Sequence, residues 1–323
     1  MTVHTWQDLV ARGISQNEIR RLIRDGGLIK LRRDSYTFLA PSNASERHLL
    51  TARAFPDRTL GLETAALVHG LPVLSIPAEV ELVCRGDGTS WRMGGATMRS
   101  APLTAGECIR IGPHAATTVA RTVVDLTRVR GIPAGLITWE AARWEARASD
   151  NLAELDAAID LVLSGLARRR GIPAARFVRT FASALSQSPM ESLSRWRIHE
   201  LGWPAPVQQF EIVDEFGQVL GTTDFAWPEA GVVGEYDGEG KYVDLARPGE
   251  GPLDVLRREK RRQESIEAAG WTFARWGKSH LRSPQSLDWV LRQAFARAGR
   301  GSATSPRLQP LSSLTTDMAA VGE

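Results

Sequence analysis

The strongest constraint on the fold of this chain lies between residues 186 and 298, where hydrophobic periodicity changes in a fixed order. Ser188-Pro189-Met190-Glu191 opens a helix, with proline at its first position and Gly202 beyond its end. Residues 207–213, 219–227 and 231–236 read as three strands, the first two joined by the turn Asp214-Glu215-Phe216-Gly217. A charged helix over 253–269 stops at Gly270, residues 271–276 form a fourth strand, and 284–298 form a last helix. The order is αβββαβα. Three consecutive strands followed by a crossover helix imply a mixed sheet, and so an α/β (α+β) unit.

The rest of the chain divides around this block. Residues 1–44 read as two short helices and a hairpin, a winged helix-turn-helix in miniature. Ser15-Gln16-Asn17-Glu18 is a capping box; the helix it opens sends Ile19, Leu22 and Ile23 inward and Arg20, Arg21 and Arg24 outward. Strands at 28–31 and 35–39 flank a turn at Arg32-Arg33-Asp34. Residues 45–185 read as a mixed α/β middle domain. It has short helices near 46–54 and 64–72, strands at 80–84 and 97–100 around a glycine-rich loop, and four later helical segments. Residues 299–323, rich in Ser, Thr, Gly and Pro, have the composition of a disordered tail.

Composition narrows the function classes. Hydrophobic residues at 43% allow a sizeable core and exclude global disorder. Forty Lys and Arg against 37 Asp and Glu leave a net charge of only +3, so any nucleic-acid footprint must be local. Two cysteines, Cys84 and Cys108, cannot form a disulfide framework or a four-ligand zinc site. With no long apolar run and no secretory leader pattern, the expectation is a soluble, cytoplasmic protein with no membrane partner.

Two acids stand where strands should be apolar: Asp224 in Gly221-Thr-Thr-Asp-Phe-Ala-Trp227 and Glu235 in Val232-Val-Gly-Glu-Tyr-Asp237-Gly238. Carboxylates are disfavoured in strands and costly to bury unpaired. Projecting from adjacent strands, they could share a Mg2+ ion, which takes one or two carboxylates and leaves room for a phosphate. Lys241 could then position a water or steady a leaving group. Simpler roles exist: Asp237-Gly238 is a common turn dipeptide, Glu191 completes a capping box with Ser188, and both strand acids could face water from an edge. In the following helix Arg257 and Arg261, and Arg258 and Arg262, align one turn apart, as stripes suited to phosphates or as a solvated face.

Residues 1–40 resemble the winged helix-turn-helix of AbiEi-type antitoxins, whose wing commonly reads Arg-Gly-Val-Tyr where this chain has Arg33-Asp34-Ser35-Tyr36. The likeness extends to Thr64-Ala-Ala-Leu-Val-His-Gly-Leu-Pro72 and to Ala120-Arg-Thr-Val-Val-Asp125-Leu126, both read as structural. Residues 186–298 resemble very-short-patch-repair-like endonucleases of the PD-(D/E)xK restriction-endonuclease-like fold. The pieces that match are Ser188–Glu191, Asp224-Phe-Ala, Glu235-Tyr-Asp237-Gly238, the Glu259-Lys-Arg-Arg262 helix and Gly270-Trp-Thr-Phe-Ala-Arg275-Trp276. That resemblance implies Asp224 and Glu235 as metal ligands, with Glu191 as the helix acid beside them. Asp237 stands where a strict tripeptide has lysine, and Lys241 where many relatives have histidine.

Two functions follow as expectations. One is a Mg2+-dependent endonuclease on double-stranded DNA, with Glu191, Asp224, Glu235 and Lys241 in the site. DNA would be gripped by Asn17, Arg20, Arg21, Arg24, Arg32 and Arg33, and by Arg258, Arg261 and Arg262. The other is an antitoxin-like transcriptional repressor with an inactive nuclease fold, whose partners are an operator duplex and a cognate toxin.

Overall fold

The computed structural model describes residues 2–86, 88–238 and 251–301. Lys241 and the greater part of the expected tail lie outside the described residues. The chain divides after Ala184 into two compact units, and the first holds both the winged segment and the middle segment.

The first unit begins with α1 (Trp6–Ala11) and α2 (Gln16–Arg24), followed by the antiparallel hairpin β1 (Ile29–Arg32) and β2 (Ser35–Thr37). Leu9, Ile19, Leu28 and Tyr36 make its small core, with Trp6, Leu22 and Ile23 against them. Ser15 caps α2 by accepting from the Glu18 amide, while the Glu18 carboxylate turns to Arg21 instead of back to the cap. At the wing turn Asp34 adopts φ +57°, the left-handed conformation that glycine takes most readily. Its carboxylate accepts from the Trp6 amide at 2.8 Å, which ties the turn to α1.

The unit continues through α3 (Ala44–Ala52), β3 (Thr59–Leu60), α4 (Leu62–Val68), β4 (Val80–Arg85), β5 (Trp91–Met93), β6 (Ala96–Ala101), β7 (Cys108–Ile111) and β8 (His114–Thr117). Four helices close it: α5 (Val119–Arg130), α6 (Ile132–Ala148), α7 (Leu152–Gly165) and α8 (Ile172–Phe181). The strands form one mixed sheet in the order β5-β6-β4-β3-β8-β7. β4 and β6, the two strands expected around the glycine-rich loop, are neighbours but parallel, and the true hairpin is β5–β6. Its two-residue turn, Gly94-Gly95, has positive φ at both positions, the requirement of the hairpin turn that matches strand twist.

The second unit comprises α9 (Pro189–Glu200), β9 (Val207–Val213), β10 (Val219–Trp227), β11 (Val232–Tyr236), α10 (Pro252–Ala268), β12 (Thr272–Trp276), α11 (Lys278–Arg282) and α12 (Pro284–Gly301). The sheet order is β12-β11-β10-β9, an antiparallel meander to which α10 adds a parallel strand. The two faces are distinct. Phe225, Trp227, Val232, Tyr236, Ala274 and Trp276 pack with Ile198 of α9 and Leu287, Leu291 and Ala294 of α12. Phe210, Ile212, Ala226, Val233 and Phe273 pack with Ile266 of α10 on the other side. The short α11 has no counterpart in the sequence pattern, because a single five-residue turn carries too little periodicity to read.

Candidate functional site

Strand parity positions the acids. Phe225 pairs with Gly234 and Ala226 with Val233, so the next rung sets Asp224 against Glu235, on the face that carries Ala226 and Val233 under α10. Gly234, the neighbour of Glu235 on the opposite sheet face, must be glycine: a Cβ there would lie 2.6 Å from the Trp276 ring. The two carboxylates have different local partners. Asp224 Oδ2 accepts from the Tyr236 amide at 2.9 Å, extending the ladder by one side-chain bond. Glu235, with a side chain 13% exposed, receives Arg262 Nη2 on Oε1 at 2.5 Å and Arg275 Nε on Oε2 at 3.1 Å.

Those guanidinium groups belong to a larger network. Arg262 also donates to Glu259 (Nε 3.0 Å, Nη2 2.6 Å) and to the Thr222 carbonyl at 3.3 Å. Arg275 donates to Gln263 Oε1 at 2.7 Å and covers the Phe273 ring at 4.6 Å. Burial alone would lower the Arg262 pKa, but hydrogen bonds and charge from Glu259 and Glu235 prevail and raise it further, so this cation is permanent. Glu191 is buried, and both oxygens are engaged: Oε1 by Ser188 Oγ at 2.8 Å, Oε2 by the Gln187 amide at 2.9 Å and Gln209 Nε2 at 3.2 Å. Ser188 Oγ caps α9 by accepting from the Glu191 amide, but the carboxylate takes the Gln187 amide in place of the Ser188 amide, so the reciprocal box stays open, and Glu191 instead bridges α9 to β9.

Would this donor set suit Mg2+? A hard cation needs carboxylate oxygens that are not already bound to cations. Both Glu235 oxygens carry guanidinium groups and both Glu191 oxygens carry donors, while Asp224 Oδ2 takes the Tyr236 amide, so a hard cation at Glu235 would compete with Arg262 and Arg275 for its oxygens. Among the described residues, no group of three or more His, Cys, Asp or Glu is arranged to hold a metal. Arg275 and Glu259 complete the network yet were not among the expected site residues. The signal for Arg275 was present, a charged residue inside an otherwise apolar and aromatic strand.

The expected DNA-contacting residues separate into two groups. Asn17, Arg20, Arg21 and Arg24 are all exposed on α2, and Arg33 is exposed at the wing turn. Positions 17, 20, 21 and 24 share one helix face, opposite Ile19, Leu22 and Ile23. Arg32 is placed differently. Its Nη1 donates to the Gly94 carbonyl at 2.9 Å, its Nε to Ser35 Oγ at 3.2 Å, and its guanidinium lies 4.2 Å over the Phe55 ring. Burial pushes its pKa down. On α10, Arg261 is exposed, Arg258 is half-buried, and Arg262 is held in the network above.

The first unit also holds cavities lined by charge. One, of about 520 Å3, is lined by Glu79, Glu81, Arg92, Thr97, Arg99 and Arg130 with the 77–78 segment. Arg130 pairs with both oxygens of Glu63 (2.6 and 3.0 Å) and with Glu81 at 2.5 Å; these bonds, the Glu63 bond foremost, raise its pKa.

No family model matches the chain. Over 164 residues it is 31% identical to uncharacterized proteins of Mycobacterium tuberculosis, from strain CDC 1551 / Oshkosh and strain ATCC 25618 / H37Rv. The matched stretch covers 51% of this chain and 55% of each relative, so the chain spans about half the length of the curated relatives it matches.

Proposed function

We propose that the chain is a cytoplasmic double-stranded-DNA-binding protein. In this reading residues 1–44 are a winged helix-turn-helix reader, 45–185 an antitoxin-like middle segment, and 186–298 a restriction-endonuclease-like unit. The observation that carries it is the exposed face of α2, with Asn17, Arg20, Arg21 and Arg24 together and Arg33 beside them at the wing. A helix of this kind inserts its polar face into the major groove while cations contact phosphates. No described helix is long and apolar enough to cross a membrane, which accords with this reading. The antitoxin resemblance supports a cognate toxin protein as a further partner.

Binding without turnover is the favoured mode, because Glu235 serves Arg262 and Arg275 in place of a cation. One observation favours hydrolysis as a second reading: Asp224 and Glu235 share a sheet face on adjacent strands. A single experiment tests both. The full chain is titrated onto duplex DNA at several salt concentrations, beside a variant carrying R20Q, R21Q, R24Q and R33Q, and each mixture is also incubated with Mg2+ or Mn2+ and supercoiled plasmid. The expected result is salt-dependent binding without nicking, and a log–log slope that is shallower in the variant by about 0.9 per phosphate no longer neutralised. An unchanged slope would remove α2 as the grip. Metal-dependent nicking abolished by E235Q would establish the hydrolase.

A further inference from the structure

The β5–β6 hairpin serves two neighbours. Its residues Arg92, Thr97 and Arg99 line the 520 Å3 cavity, and its turn carbonyl, Gly94, holds Arg32 at the end of wing strand β1. The turn needs glycine, since both positions have positive φ and a Cβ on Gly94 would lie 3.3 Å from Arg32 Nη1. Arg47 of α3 reinforces the seat by donating to the Lys30 carbonyl at 3.4 Å. Wing and cavity therefore share one element, the β5–β6 hairpin.

The hydrogen bonds around the cavity define what it can take. Its carboxylates are almost fully engaged: Glu81 receives Arg99 Nε (2.8 Å), Arg99 Nη2 (3.3 Å) and Arg130 Nη2 (2.5 Å), and Glu79 Oε2 receives Thr97 Oγ1 at 2.7 Å and lies 3.3 Å from Arg92 Nε. The guanidinium groups are only partly engaged. Arg99 uses Nε and Nη2, Arg130 uses Nε and Nη2, and Arg92 meets Glu79 through Nε with its side chain 81% exposed. Nη1 remains on Arg99 and Arg130, and both Nη1 and Nη2 remain on Arg92, against a single remaining carboxylate oxygen, Glu79 Oε1. Three arginines and two carboxylates line the cavity, Glu63 behind Arg130 makes up the third negative charge, and donors exceed acceptors. Such a surface recognises an acceptor-rich group, and planar guanidinium forks match phosphate geometry closely. The volume suits a ligand larger than a bare ion.

We propose that this cavity is an effector site for a small phosphate ester, and that the β5–β6 hairpin transmits its occupancy to the wing through Arg32. Arg32 is then a positioning residue, not a DNA contact. The coupling half rests on the DNA-binding reading above; the binding half does not.

Calorimetry on the full chain, with adenosine 5′-monophosphate and ribose 5-phosphate as probes and inorganic phosphate as a control for charge alone, tests the binding half. The expected result is saturable binding of at least one ester at about 1 mM or tighter, weakened about fivefold or more by R92Q, a substitution at an exposed side chain that leaves the Glu81 and Glu63 pairs intact. No saturable binding, equal binding by R92Q, or binding of inorganic phosphate as tight as the esters would overturn the site. Anisotropy with duplex DNA tests the coupling: the bound ester should shift the DNA affinity of the wild-type chain by about fivefold, and R32Q should bind the ester equally well yet show no shift. An unmoved affinity in the wild-type chain, or an equal shift in R32Q, overturns the coupling. A chain that binds ester but no duplex refutes the DNA reading and the coupling while leaving the cavity assignment standing.

Discussion

Helices α2 and α10 carry the same signature, arginines spaced three and four residues apart, and they put it to different uses. Beneath α2 lies only a small apolar core, Leu9, Ile19, Leu28 and Tyr36, so nothing draws a guanidinium inward and Arg20, Arg21 and Arg24 stay in solvent. Beneath α10 lies a strand carrying Glu235, and Arg262 turns in to meet it, with Glu259 and Arg275 closing the network. The fate of a basic run is set by the surface it packs against. A charge pattern read along one helix does not contain that information.

The largest expected effect tests this contrast directly. R262A leaves Glu235, mostly buried, with half its compensation, and breaking a buried pair in this way costs about 3 kcal/mol. The second unit should unfold at distinctly lower urea in R262A, and the double variant R262A/E235A should recover part of that stability. R20A, R21A or R24A should each move stability by less than about 0.5 kcal/mol. If R262A behaves like the α2 variants, the two helices do not differ in kind.

What the sequence made legible follows the same division. Local signals were readable: the Ser15 and Ser188 caps, the proline that opens α9, the three-strand run and the inward set of α2 all lie within a few residues of their causes. The odd acids in apolar strands were readable too, as residues out of place. Their partners were not. Arg32 is tied by Gly94, 62 residues on, and Arg262 by Glu235, 27 residues back, and nothing local marks either pairing. Strands β3, β7 and β8, two to four residues long, fall below the length at which alternation can be counted. The parallel pairing of β4 with β6 depends on a crossover that periodicity does not encode.

A smaller effect should separate the units by pH. His48, in the first unit, is buried with its Nε2 2.8 Å from Thr64 Oγ1. Burial lowers its pKa below the usual 6.5, against the opposing pull of Glu63 and Glu81. The unfolded chain therefore binds this proton more readily than the folded one, so stability is full above about pH 6.5 and declines as pH falls from there through the folded pKa. Thermal unfolding of the first unit should show that decline, and H48Q should flatten it. A slope unaltered by H48Q would assign the acid sensitivity elsewhere.

The least effect is expected at the outer face of α10, where the two helices should become alike. Lys260 and Glu264 approach to 3.7 Å one turn apart, with side chains 75% and 61% exposed. At that exposure solvent and salt screen the pair, and holding two long side chains together offsets most of what attraction remains. K260A should therefore change the urea midpoint no more than R21A does on α2, where Arg21 meets Glu18 at 3.5 Å in similar solvent. Measured side by side at low and high salt, the two should converge as salt rises. A K260A destabilisation that persists at high salt would mean that the outward charges of α10 are also engaged, and that the difference between the helices extends beyond the inward-facing arginine.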